Sequence, residues 1–219
     1  MPGLEYAGYC RPALGVGGDY YDFVKVGEQL GIAVGDVSGK GIPAALLMAS
    51  LQASLRAQAI STPTDLATLM SRLNALIYEA SPANRYATFF YGQYDPATRG
   101  LSYVNAGHNA PMVFRREGSE LLRVDGGGPV IGLLPSAEYR QCGLGLQPGD
   151  VLVGYTDGIS EAMNPEDEEW GEDRLADAVR ACLGLHPKDV VHRVLAAADA
   201  FARGAKQHDD MTLVVVRVV

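Results

Sequence analysis

Between residues 87 and 156 lie six short segments rich in β-branched and aromatic residues, and a block of helical character flanks them on each side. That order constrains the fold more than any other feature. The segments 87–94, 101–106, 111–116, 120–124, 138–146 and 150–156 are separated by turn formers at Asp95-Pro96, Arg99-Gly100, Glu117-Gly118 and Pro148-Gly149. An earlier hairpin is predicted over residues 19–36, turning at Gly27-Glu28. A last strand is predicted over 211–219, where near-continuous Val, Leu and Thr point to burial on both faces.

The helical blocks have their own signals. Residues 44–59 are rich in Ala, Leu, Met and Gln, and Pro43 suits a first helical turn. A second helix is predicted from Thr62 as N-cap, with Pro63 at the first helical position and Asp65 in the first turn, to about Ala80. Leu66, Leu69, Met70, Leu73, Leu76 and Ile77 recur along it at helical spacing. Helices return at 171–183 and 188–203. Antiparallel strands with two separate helical blocks define an α+β layered fold. The expectation is a four-layer αββα sandwich: two mostly antiparallel β-sheets flanked by helices. No repeat or Pro/Gly/Ser-rich linker divides the chain, so residues 1–219 are read as a single domain. With 47% of residues apolar, a sizeable core is within reach.

The formal net charge of −8 argues against nucleic acid and anionic membranes as partners. No apolar run approaches the roughly 18 residues that a spanning helix needs. Residues 1–10 lack a basic start and a long apolar core, so no signal peptide is read. Cys10, Cys142 and Cys182 are odd in number, widely spaced and outside any C-x-x-C pattern. Reduced thiols and a cytoplasmic location are therefore expected.

Four segments place an aspartate beside glycine or at the end of an apolar strand: Gly17-Gly18-Asp19, Val34-Gly35-Asp36, Thr156-Asp157-Gly158 and Asp209-Asp210-Met211-Thr212. A strand end puts a short carboxylate on rigid backbone, and glycine lets a carbonyl or substrate come close. Hard cations such as Mg²⁺ and Mn²⁺ take such oxygen ligands and keep several waters. A single Asp-Gly is more simply a turn, the role expected of Asp95 and Asp150. Spacing by itself leaves a metal site and a set of turns evenly matched.

The wording of the segments goes further. Gly17-Gly18-Asp19-Tyr20-Tyr21-Asp22, Asp36-Val37-Ser38-Gly39-Lys40-Gly41, Asn105-Ala106-Gly107-His108-Asn109, Thr156-Asp157-Gly158-Ile159-Ser160-Glu161-Ala162 and Asp209-Asp210-Met211-Thr212 follow one another in that order. This set resembles the SpoIIE/RsbU branch of the PPM-type metal-dependent protein phosphatases, from about residue 5 to 218. The resemblance implies hydrolysis of phosphoserine or phosphothreonine in a protein by a metal-activated water, with Asp36 and Asp157 at the centre of the chemistry. It implies two ions, Mn²⁺ or Mg²⁺. Asp36 would bridge them, Asp19 and the Val37 carbonyl would complete one site, and Asp157 and Asp209 the other. Asp210 would sit just outside the ligands, and Asp22 is expected to be structural. The implied partner is a phosphorylated signalling protein, an anti-sigma factor antagonist being the leading kind, and a homodimer is compatible with the family. A catalytically silent binding module and a small-molecule phosphoesterase are the alternatives.

The chain departs from eukaryotic relatives at three places. Gly18 stands where they carry an acidic residue, Ser38 where they carry histidine, and Arg11 is the nearest candidate for their phosphate-binding arginine, at a different spacing. The phosphate grip and the proton donor are thus unassigned. His108 is read as a turn residue in preference to a general acid, and His208 as a neighbour of the last metal aspartate. His186 and His192 are expected at the surface, Glu166 to Glu169 in a solvated loop, and Trp170 as that loop's anchor.

Overall fold

A computed structural model describes the whole chain except residues 62–64, 82–84 and 116–117. In chain order the strands are β1 (Leu4–Arg11), β2 (Asp19–Val26) and β3 (Gln29–Val37), followed by helices α1 (Ile42–Ser61) and α2 (Leu66–Ala80). Strands β4 (Ala87–Asp95), β5 (Gly100–Ala106), β6 (Met112–Arg115), β7 (Glu120–Arg123), β8 (Gly127–Gly128), β9 (Cys142–Gly145) and β10 (Val151–Tyr155) come next. Helices α3 (Asp157–Ser160), α4 (Gly171–Arg180) and α5 (Pro187–Ala202) precede the last strand, β11 (Met211–Val218).

The described residues group into two compact units. Each has one sheet, its own helices and its own core, so the two helix-flanked sheets expected from the sequence are present. Residues 14–108 and 125–146 form the first unit. Its sheet runs β2-β3-β4-β5-β8, with β9 also paired to β5. The β2–β3 hairpin closes at Val26 and Gln29 around the expected Gly27-Glu28 turn. Apolar side chains of the sheet, among them Tyr20, Ala33, Phe89, Tyr91 and Val104, pack against Leu51 and Leu55 of α1 and Leu69, Met70 and Leu73 of α2. Each fully buried Leu or Phe of this kind stabilises the fold by about 1.5–3 kcal/mol relative to exposure.

Residues 1–13, 109–124 and 147–219 form the second unit. Its sheet order is β1-β11-β10-β6-β7, antiparallel throughout. Strand β11 is paired on both edges and buried along nearly its whole length, as its continuous apolar sequence predicts. Its core joins Val153, Tyr155, Leu213 and Val215 to Leu175 and Val179 of α4 and Val191 and Val194 of α5.

Several boundaries differ from the sequence reading. The cap of α2 is Asp65, whose side chain accepts the Thr68 N–H, and the helix starts at Leu66. Asp65 thus lies before the first turn. The Thr62 and Pro63 expectations lie outside the described residues, as does Glu117 of the Glu117-Gly118 turn. The 138–146 segment narrows to β9, because only Cys142 to Gly145 pair with β5. Strand β1 had no clear sequence signal: Gly8 interrupts its alternation and most of its side chains are only half-buried. The turns at Asp95 and Asp150 are as expected, their carboxylates accepting the N–H groups of Ala97 and Gln147 at 2.8 and 2.9 Å.

Candidate functional site

In the first unit, β2 begins with Asp19 and β3 reaches Asp36 one residue before its end. The antiparallel register sets these two residues opposite each other. Asp19 is buried and Asp36 half-buried. The Val37 N–H donates to the Gly18 carbonyl at 3.3 Å, which folds the Val37 carbonyl back toward β2. A Cβ on Gly18 would stand 2.7 Å from the Val37 carbonyl oxygen and 3.3 Å from Oδ1 of Asp36. Glycine therefore leaves open the space on which these oxygens converge. Two carboxylates and a carbonyl are the donor chemistry of a hard divalent cation, so these residues fit such an ion.

In the second unit, Asp157 opens the single-turn helix α3 directly after β10. Backbone pairing between Thr156 and Thr212, at 3.1 Å, sets this turn against the start of β11. The contact is so close that a Cβ on Gly158 would lie 2.0 Å from the Asp210 carbonyl oxygen. Asp157 and Asp209 are thereby held on adjoining stretches of backbone, both half-buried. The Asp209 carboxylate accepts the Asp210 N–H at 2.9 Å. Oδ1 of Asp210 accepts the Ala13 N–H at 2.7 Å, which makes Asp210 a clamp on the end of the β1 segment. Among the described residues no three His, Cys, Asp or Glu side chains gather into one ligating cluster; each unit has its own carboxylate pair. Mg²⁺ keeps most of its water shell and needs few protein ligands.

Asp22 is structural, as expected. It is buried, accepts the Tyr20 hydroxyl at 2.7 Å and takes a two-pronged contact from Arg56 of α1 at 2.6 and 2.7 Å. Arg11 is committed elsewhere, since its guanidinium grips Asp199 of α5 at 2.6 and 3.0 Å. His108 is buried within a tight turn. Its N–H donates to Oδ1 of Asn105 at 2.8 Å and its carbonyl accepts from Nδ2 of Asn105 at 3.0 Å. Its Nδ1 lies 2.9 Å from Oγ1 of Thr88, the β4 residue paired with Asp36. The imidazole therefore lies against a hydroxyl on the Asp36 rung.

His208, His186 and His192 are exposed, and His186 also caps α5 by accepting the Lys188 N–H. The acidic run 166–169 is exposed but ordered. Oδ1 of buried Asn164 accepts the N–H groups of Glu166 and Glu168 at 3.0 and 2.9 Å, and Glu166 pairs with Arg203. Trp170 is buried at its end, as an anchor. Sequence reasoning missed Arg85. It lies on the Ser38-Gly39 loop, with Nη1 donating to the Ser38 carbonyl at 3.3 Å. No local motif marks this arginine, which reaches the loop from 47 positions away.

Comparison with known proteins identifies the family. Protein IcfG of Synechocystis is 30% identical over 94% of this chain and 36% of its own length. Phosphoserine phosphatase RsbU of Bacillus subtilis is 28% identical over 98% of this chain and 63% of its own. The chain thus spans between about a third and two thirds of these relatives. The solved RsbU and RsbW domains of a Mycobacterium tuberculosis protein superpose with a TM-score of 0.82 at 25% identity, covering 99% of this chain and 60% of that one. Residues 27–219 match the family described as Stage II sporulation protein E (SpoIIE). With its ordered motifs and two helix-flanked sheets, the chain belongs to the SpoIIE family.

Proposed function

We propose that the chain is a metal-dependent protein serine/threonine phosphatase that dephosphorylates a bacterial signalling protein, an anti-sigma factor antagonist being the favoured substrate. The observation that carries this reading is the Asp19–Asp36 rung beside the Val37 carbonyl, an oxygen donor set cleared by Gly18. Family membership and the naming of RsbU as a phosphoserine phosphatase support it.

In this reading Asp19, Asp36 and the Val37 carbonyl hold one divalent ion, and Asp157 and Asp209 hold a second. Mn²⁺ and Mg²⁺ are the candidates, and one solved relative, RsbX, is in complex with magnesium. Such ions lower the pKa of water and neutralise charge on phosphoryl oxygens. The protein's part is to fix its carboxylates before substrate arrives. The ladder holds Asp19 and Asp36, and the contact of Gly158 with the 209–210 backbone holds Asp157 and Asp209. We further propose that residues 1–219 act as one domain, in the cytoplasm, with a homodimer as the candidate assembly. No helix among the described residues is long and apolar enough to cross a membrane.

The test is metal-dependent release of phosphate from a phosphoserine-bearing antagonist protein. Asp36→Asn and Asp157→Asn are each expected to abolish it while circular dichroism stays native. Full activity in either variant sinks the ligand assignment. Equal rates on free phosphoserine would favour a small-molecule phosphoesterase, and no hydrolysis with either metal would favour a silent binding module.

A further inference from the structure

Among the arginines, Arg11, Arg56, Arg123 and Arg217 each face a carboxylate within 2.8 Å. Arg85 faces none among the described residues, although acidic residues outnumber basic ones 26 to 18. Its one hydrogen bond to a described residue runs from Nη1 to the Ser38 carbonyl at 3.3 Å. Nη1 also lies 3.0 Å from the point where a Cβ on Gly39 would stand, so the guanidinium rests on the bare backbone of that loop.

The arginine is held there by its own chain. The Ser38 N–H donates to the Tyr86 carbonyl at 2.8 Å, and the Tyr86 N–H donates to Oγ of Ser38 at 3.0 Å. These bonds carry the β3–β4 pairing beyond the rungs Asp36–Thr88 and Val37–Ala87. Gly39 is three residues past Asp36, a stretch of chain that spans at most about 10 Å. Arg85 also borders an open cleft of about 150 Å³, shared with Pro43, Leu46, Leu47 and Ser50 of α1. One donor of the fork is used by Ser38, and the half-exposed remainder is reachable by a ligand.

A phosphomonoester brings up to two negative charges to the loop that carries Asp36. A planar guanidinium suits its tetrahedral oxygens, because two parallel N–H donors can meet two oxygens at once. Building on the phosphatase reading, we propose that Arg85 binds the substrate's phosphoryl group, supplying the phosphate grip that Arg11, locked to Asp199, does not. Lysine cannot reproduce this fork, since its ammonium is a point charge.

The test measures inorganic phosphate binding to the full chain by calorimetry in saturating Mn²⁺, beside turnover of a phosphoserine protein. Arg85→Ala is expected to weaken phosphate binding about 10- to 100-fold, the range of lost charge-assisted hydrogen bonds. KM for the phosphoprotein should rise in parallel and Mn²⁺ affinity should stay within about twofold of wild type. Arg85→Lys should recover part of the loss. Arg85→Gln keeps most of the side chain's length and repeats the measurement should the alanine variant fold poorly. Wild-type phosphate affinity in the alanine and glutamine variants overturns the proposal while wild-type turnover leaves the phosphatase reading standing. A parallel loss of Mn²⁺ affinity overturns it too, by showing that Arg85 only shapes the loop. No turnover by the wild-type chain overturns the phosphatase reading and this proposal with it.

Discussion

Asp19 and Asp36 occupy one rung of the β2–β3 ladder, directly opposite each other. Side chains directly opposite in an antiparallel pair have Cβ atoms about 4.5–5.5 Å apart, and like charges there are destabilising. A divalent ion removes that cost. Mn²⁺ or Mg²⁺ at about 100 times its Kd should therefore raise unfolding free energy by about 2.7 kcal/mol. Asp36→Asn should lose most of this increment while its metal-free form is at least as stable as wild type. Urea unfolding with metal and with chelator measures both, and a wild-type midpoint indifferent to metal refutes the expectation.

Two glycines should tolerate no side chain. Gly158→Ala would put a methyl 2.0 Å from the Asp210 carbonyl oxygen, and backbone on both sides would have to move. A loss of about 1–3 kcal/mol is expected from overpacking, with phosphatase activity lost as Asp157 and Asp209 separate. Gly18→Ala should be milder in stability, because it displaces one carbonyl, that of Val37. Its mark should be weaker metal binding, read by calorimetry.

The Tyr20–Asp22–Arg56 contact ties β2 to α1. Burial, reinforced by the hydrogen bond to Asp22, pushes the Tyr20 hydroxyl far above its ordinary range and keeps it a donor. Asp22→Ala should cost about 1–3 kcal/mol, since it strands that hydroxyl; Arg56 is half exposed, so its share is small. Denaturant midpoints should fall with metal affinity unchanged. A variant as stable as wild type would remove Asp22 from the structural role assigned to it.

A second tie has a pH signature. The hydrogen bond from Arg11 holds the Asp199 carboxyl below its ordinary range, with direct charge attraction adding to it. A carboxylate depressed in the folded state stabilises above its unfolded pKa, near 3.9, and that contribution is lost as pH falls through the lower folded value. Wild type should thus lose more stability than Asp199→Asn on acidification below about pH 4. The difference should be under about 1 kcal/mol, since Asp199 is half exposed. Parallel stability curves for the two proteins in that window would contradict it.

What the sequence made legible follows from the range of each interaction. Asp19, Asp36, Asp157 and Asp209 could be singled out because each sits in a short motif, and β11 because its apolar run is local. Strand β1 was missed, since its pairing partner lies at the other end of the chain and Gly8 breaks its alternation. Arg85 was missed for the same reason: only the β3–β4 register brings residue 85 onto the Ser38 loop. His108 is legible as a turn residue, but its contact with Thr88 depends on a partner 20 positions away on the neighbouring strand β4. Local motifs reveal donors, and long-range register decides what they touch.

The pairing of Leu4 with Val218 has a consequence for how the molecule is made. Strand β1 leaves the ribosome before its partner β11, and its amide groups wait while every described element between them is made. The sheet formed by β2 to β5 is complete much earlier, by Ala106. Synthesis should therefore close the β2–β5 pairing first and the β1–β11 pairing only once β11 has emerged. Chaperone binding to nascent chains should concentrate on the 4–11 segment until β11 emerges.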